Sequence, residues 1–150
     1  MLTTIRGKTT EIGIGIDQPF RIIGERINPT GHKKLAAALT ERDFDYIHQL
    51  AATQITNGAE ILDVNVGVAG LDDVSLLPEV IQIVTDEVDI PICIDTPNPE
   101  ALAAALSVTP GKPLINSVNG EEASLNTVLP LVKEYNAAVI ALTMDDDGIP

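Results

Sequence analysis

The sequence predicts an α/β protein built on a parallel sheet, and three observations carry that prediction. Short apolar runs rich in β-branched residues recur along the chain, and some are apolar at consecutive positions, as in Pro91-Ile92-Cys93-Ile94. Such runs suit strands covered on both faces, the situation of a parallel sheet. Stretches with helical spacing separate them, giving βα four times and then a fifth strand, with right-handed crossovers expected. Finally, five runs end in Asp, Asn or Glu just before a loop: 22–28, 61–65, 92–95, 114–119 and 139–145. One such ending is ordinary, since Asn and Asp favour turns. Five in register predict a polar ring at the C-terminal mouth of the sheet, where α/β proteins place their chemistry.

Residues 1–19 come first, with alternating Ile and Gly from Ile12 to Ile16 followed by Asp17-Gln18-Pro19, and read as a strand or hairpin ahead of the sheet. Gly13-Ile14-Gly15 is a fragment of a dinucleotide fingerprint with no helix behind it, so it carries no nucleotide reading. The first sheet strand ends at Glu25 to Asn28, and Pro29-Thr30-Gly31 turns the chain. A short helix is expected over His32 to Leu39. A better-marked one follows, with Thr40 and Asp43 as a capping box, Phe44, Ile47, Ala51 and Ile55 on one face, and Asn57-Gly58 as its stop. Strand two is Ala59 to Asn65, and Val66 to Asp73 is a glycine-bearing loop. The next helix spans about Ser75 to Val88, burying Leu77, Val80, Ile81 and Val84 and tolerating Pro78 in its first turn.

Strand three ends at Asp95. Asn98, Pro99 and Glu100 then read as helix cap, first helical residue and acidic first turn of a helix reaching about Ser107. Thr109 to Pro113 turns into strand four, Leu114 to Ser117. A last helix spans about Glu121 to Tyr135, with Pro130 expected to kink or divide it, and strand five is Ala138 to Met144.

The 150 residues suffice for one domain with a real core. With 9 basic against 22 acidic residues the net charge is −13, which argues against a nucleic-acid partner, whose phosphates demand Lys and Arg. Aromatics are 3% of the chain, so Ala, Ile, Leu and Val build the core. Cys93, the single cysteine, has no disulfide partner, and no run approaches the ~20 apolar residues needed to span a bilayer. A cytoplasmic protein without membrane association is expected. No metal-ligand cluster stands out.

A complete (β/α) barrel takes about 250 residues. Five strands therefore leave three possibilities: the N-terminal part of a longer barrel, a barrel completed by another chain, or an open doubly wound domain.

The strand-end motifs bear on that choice. Gly24-Glu25-Arg26-Ile27-Asn28, Gly58-Ala59-Glu60-Ile61-Leu62-Asp63-Val64-Asn65-Val66-Gly67, Cys93-Ile94-Asp95-Thr96 and Ile115-Asn116-Ser117-Val118-Asn119 together resemble the pterin-binding barrel family. Within it they are similar to methyltetrahydrofolate:corrinoid-protein methyltransferases and to the folate domain of cobalamin-dependent methionine synthase. The similarity runs from about Phe20 to Pro150 and takes in Ile140 to Met144 and Gly148-Ile149-Pro150. It implies a (β/α)8 TIM-type barrel of which residues 1–150 hold the N-terminal portion: about five strands and four helices, with 1–19 as an extension. Dihydropteroate synthase shares this fold, but carries an Arg after the second strand that serves its pyrophosphate-bearing substrate. Here that loop reads Asn65-Val66-Gly67-Val68-Ala69-Gly70, without a cation.

The resemblance implies methyl transfer from 5-methyltetrahydrofolate to the Co(I) of a corrinoid carried by a partner protein. Alternatives are a dihydropteroate synthase-like reaction or a non-catalytic folate-binding or assembly subunit. A homodimer, or completion by the missing barrel half, is expected. Asp95 and Asn116 would hydrogen-bond the pterin ring, a carboxylate accepting and an amide both donating and accepting. The alternative is that both merely cap helices or bind loop backbone. Glu25 and Asn28 would contact folate or orient it, unless Glu25 is buried against Arg26. Asp63 and Asn65 would support the site by ordering the mouth loops. Asn119 either supports the site from behind or caps the last helix, the cap being favoured. His32 and His48 read as surface or helix-face residues, and Asp145 to Asp147 as a solvated acidic loop. In that family the groups acting at N5 lie on later strands, so no catalytic residue is assigned. No Asp-x-His-x-x-Gly corrinoid signature occurs, which places the corrinoid on the partner.

Overall fold

The computed structural model describes residues 2–145, 148 and 149. A hairpin of β1 (Leu2–Arg6) and β2 (Glu11–Gly15) precedes a five-stranded sheet of β3 (Ile23–Ile27), β4 (Ile61–Val64), β5 (Ile92–Asp95), β6 (Leu114–Val118) and β7 (Ala138–Ala141). The sheet strands are all parallel and lie in chain order. Between them run α1 (Lys33–Glu41) and α2 (Phe44–Thr56), then α3 (Asp73–Glu87), α4 (Pro99–Val108) and α5 (Glu122–Glu134). A doubly wound sheet reverses its strand order at a switch point. This one never reverses, so the open doubly wound alternative is set aside in favour of barrel-type winding.

The two faces of the sheet confirm that winding. Alternate residues of a strand point to opposite sides. Leu62, Val64, Ile92, Ile94 and Ile115 join one apolar cluster with the helices, including Leu77, Val80, Ile81 and Val84 of α3 and Leu102 of α4. Ile61, Cys93, Leu114 and Ala138 point the other way and cluster with Ile5 and Ile12 of the hairpin. The hairpin thus closes the N-terminal end of the inner face. Its backbone pairs there, with Arg6 and Lys112 exchanging hydrogen bonds of 2.9 and 2.8 Å. Asp89, just before β5, accepts from the backbone N–H of Thr9 at 3.0 Å. At Gly111 a Cβ would stand 2.1 Å from the Gly7 carbonyl oxygen, so that crossing requires glycine.

Local sequence signals account for most element ends. Asn98 caps α4, accepting from the N–H groups of Glu100 and Ala101, and Pro99 opens the helix. Asn57-Gly58 ends α2, with Gly58 at φ +95°. Four expectations need correction. Thr40 does not open a helix: α1 runs through it to Glu41, its hydroxyl bonds back to the Ala36 carbonyl, and Asp43 caps α2. Pro78 lies beyond the first turn of α3, where its missing N–H breaks the helical ladder. Pro130 does not divide α5, which is continuous. Asn119 is not the cap of α5; Glu121 takes that position, and Asn119 accepts from the Glu121 N–H in a turn just before it. Asp146 and Asp147 of the expected acidic loop fall outside the described residues.

Two borders of the sheet carry exposed apolar side chains: Ile16 (96%), Phe20 (94%), Ile22 and Ile23 around β3, and Leu129 and Leu142 beside β7. The hairpin fills the N-terminal end of the inner face with Ile5 and Ile12. Ile5 is fully buried, so Ile5→Ala should lower unfolding free energy by about 2–5 kcal/mol. Chemical denaturation measures this; a change below about 1 kcal/mol would mean that the hairpin is only peripheral to the core.

Candidate functional site

The site grows out of the pleat. Asp63 and Cys93 are register partners, as are Asp95 and Asn116, on neighbouring strands. Register partners in a parallel sheet share a face, and Cys93 is on the inner one. So the inner face is apolar at the hairpin end, carries Asp63 and Cys93 in the middle, and ends in Asp95 and Asn116 at the C-terminal mouth.

Asp95 is half-buried. Its Oδ2 accepts from the side-chain amides of Asn65 at 3.0 Å and Asn28 at 3.5 Å. Asn65 follows β4, and its own carbonyl oxygen accepts from the Gly67 N–H at 2.8 Å, pinning the loop. Asn28 follows β3; it also donates to Glu25 at 3.3 Å and accepts from the Thr30 N–H at 3.0 Å. Four of the expected residues, Glu25, Asn28, Asn65 and Asp95, are therefore one connected network. Glu25 is exposed, and the four ion pairs among the described residues do not include it with Arg26. The buried Glu25–Arg26 alternative falls. Its local cause is an irregularity in β3 pairing between Gly24 and Ile27, where the backbone N–H of Arg26 bonds to Gln54 of α2 at 2.7 Å. A Cβ at Gly24 would stand 2.7 Å from that same Gln54 oxygen, so only glycine lets α2 reach the strand.

Asn116 is half-buried and donates to Asp63 Oδ2 at 3.2 Å. Neither it nor Asp95 caps a helix, since Asn98 and Glu121 occupy those positions. Asp63 is not a loop-ordering residue. It is 3% exposed, packs beside the Cys93 thiol, and its Oδ1 has no hydrogen-bond partner among the described residues. Burial pushes its carboxyl above the ordinary 3.8, the charges of Asp95 and Glu25 add to that, and the hydrogen bond from Asn116 offsets part of it. Burial, then the neighbouring Asp63, drives the Cys93 thiol strongly upward, so it is not a nucleophile.

Asp95 and Asn116 open onto a cleft of about 450 Å³, bordered also by Asn119, Ser124, Thr127 and Leu142. A second hollow of about 420 Å³ lies at the start of α1, between Glu25, Asn28, His32 and Lys34. His32 was missed as a structural residue: its Nδ1 caps α1, accepting from the Leu35 N–H at 3.1 Å. His48 lies 3.4 Å from Glu87. Gln54 was also missed, and its position in the last turn of α2 gives no signal that it reaches a strand.

A match to the family described as pterin binding enzyme spans residues 24–148. The chain is 35% identical over 134 residues to a methylcorrinoid:tetrahydrofolate methyltransferase of Eubacterium limosum, covering 86% of this chain and 48% of that protein. It is 33% identical over 144 residues to the methionine synthase of Mycobacterium tuberculosis, covering 93% of this chain and 12% of that one. The chain thus spans half or less of the relatives it matches. Among solved structures it resembles the dihydropteroate synthase of Xanthomonas albilineans with a TM-score of 0.59 and 22% identity, over 95% of this chain and 51% of that one. A second structure of that enzyme, in complex with 7,8-dihydropteroate, gives 0.57 and 23%, over 88% and 48%. At such identities the likeness is one of fold.

The raised Asp63 pKa has a definite sign for stability. Native Asp63 holds its proton more tightly than the unfolded chain does. Its contribution is complete below about pH 3.8 and is lost as pH rises through the higher native value. Asp63→Asn does not titrate, so its stability relative to the unmodified chain should climb as pH rises above about 3.8. Urea midpoints across that range check this, and a constant difference would refute it.

Proposed function

The chain belongs to the pterin-binding enzyme family, and on that footing we propose that it carries about half of the pterin site of an enzyme moving a methyl group between N5 of tetrahydrofolate and a corrinoid. The observation that carries this reading is the pairing of Asp95 with Asn116 in register at an open mouth. A carboxylate and an amide side by side suit the ring N–H and amino donors of a flat reduced pterin. Asn28 and Asn65 hold Asp95 from one side, with Glu25 accepting from Asn28, and Asp63 holds Asn116 from below. The name of the Eubacterium limosum relative, a methylcorrinoid:tetrahydrofolate methyltransferase, supports transfer between these two carriers, and one site serves both directions because the same transition state is crossed either way.

A partner protein brings the corrinoid, whose cobalt takes up or gives the methyl group. N5 of methyltetrahydrofolate is a poor leaving group, and an enzyme gains rate by stabilising the charge that changes there only in the transition state. The residues described here do the binding part: they grip the ring by its far edge and fix its plane. The groups acting at N5 come from the part of the barrel that completes this one, whether on the same polypeptide or a second copy. The exposed apolar borders at β3 and β7 are consistent with such a completion. Residues 1–150 then form the N-terminal portion of a single barrel domain in a cytoplasmic enzyme. Among the described residues no helix is long and apolar enough to cross a membrane. The loop after β4, which lacks a cation, speaks against a pyrophosphate-releasing synthase.

Supplying the completed barrel with 5-methyltetrahydrofolate and a Co(I) corrinoid protein tests the proposal: methyl transfer is expected. Binding without turnover would favour a non-catalytic subunit, and incorporation of p-aminobenzoate a synthase. Asp95→Ala should weaken tetrahydrofolate binding by about 10–100-fold, since a hydrogen bond to a charged group contributes about 1.5–3 kcal/mol. Calorimetric titration measures it; unchanged affinity would remove Asp95 from the site.

A further inference from the structure

Three of the asparagine amides around the mouth turn their NH2 group to a carboxylate. Asn28 faces Glu25 and Asp95, Asn65 faces Asp95, and Asn116 faces Asp63. Their carbonyl oxygens differ. That of Asn28 is taken by the Thr30 N–H and that of Asn65 by the Gly67 N–H. The oxygen of Asn116 accepts no hydrogen bond among the described residues, and neither does Oδ1 of Asp95. Because these two residues are register partners on adjacent strands, their unengaged acceptors lie on the same face at the same end of the sheet.

Asp63 sets this arrangement. It lies beneath Asn116, almost fully buried. A carboxylate accepts and does not donate, so an amide facing it puts nitrogen inward and oxygen outward. We propose that Asp63 is a positioning residue that locks the Asn116 amide with its oxygen toward the mouth, selecting the amino-bearing edge of a pterin over the matching oxo ring. This rests on the pterin reading above and deepens it. The mixed donor–acceptor pair expected from residue types alone becomes a pair of acceptors. An oxo group in place of the amino group would then meet oxygen, and a site that leaves polar groups facing like groups rejects such an analogue strongly.

The test compares binding of tetrahydropterin and tetrahydrolumazine, in which a 2-oxo group replaces the 2-amino group, to the completed barrel. The unmodified protein should prefer tetrahydropterin by about tenfold or more. Asp63→Asn can accept or donate, which frees the Asn116 amide to rotate. It should narrow that preference about tenfold, chiefly by tighter tetrahydrolumazine binding, a gain that loss of structure cannot produce. The swapped pair Asp63→Asn with Asn116→Asp should restore the preference, because the buried amide then donates upward and the second oxygen of the relocated carboxylate faces the mouth. Unchanged discrimination in Asp63→Asn, equal loss for both rings, or failure of the swapped pair to restore it overturns the positioning role. Should Asp63→Asn not fold, the swapped pair decides alone: preference kept supports the role and preference lost overturns it. If the unmodified protein binds no tetrahydropterin, the pterin reading itself falls, an outcome distinct from all of these.

Discussion

In-register parallel pairing from β4 through β6 is the constraint on which the rest depends. A slip of one residue would exchange the two faces of a strand. Ile92 and Ile94 would leave the helix side, and Cys93 and Asp95 would leave the inside. The apolar partners enforce the register from both sides, helices on the outer face and the hairpin on the inner one. Asp95 and Asn116 inherit their position from that packing, with no requirement of their own.

The inner face is a gradient. At its base the hairpin supplies Ile5 and Ile12 against Ile61 and Leu114; one layer up a carboxyl group is buried; at the top the carboxylates and amides meet water. Burying Asp63 costs stability, as the upward shift of its pKa shows. That cost is out of place in a fold assembled only for stability, since an apolar residue would fill the same space. It makes sense if the carboxylate holds something in a chosen orientation, and the amide of Asn116 is what it holds. Local rules broken without local benefit tend to mark functional positions.

The amides have a related economy. Asn28 and Asn65 each hold a carboxylate with the nitrogen end and a loop backbone with the oxygen end. They tie the chain after β3 and the chain after β4 to the end of β5. A mouth built from loop residues alone would be mobile; here three consecutive strand ends are cross-linked, so the acceptors they surround are held before any ligand arrives.

Much of this was legible in residue order. Sheet strands, parallel arrangement, the N-terminal hairpin, the Asn98 cap and the polar endings follow from spacing of two or of three to four residues, which the sequence displays directly. So does the candidacy of Asp95 and Asn116, each at the end of an apolar run. Other features depend on which elements meet. Thr40 and Asp43 both suit a cap, and only the packing of α1 against α2 selected Asp43. Gln54 reaches β3 because Gly24 leaves room for it, a fact about two segments thirty positions apart. Asp63 reads like any strand-end acid, yet it sits one layer below the mouth and is buried. The direction of the Asn116 amide was beyond the sequence for the same reason. Residue type gives an amide two ends, and only the neighbour across the sheet decides which end faces outward.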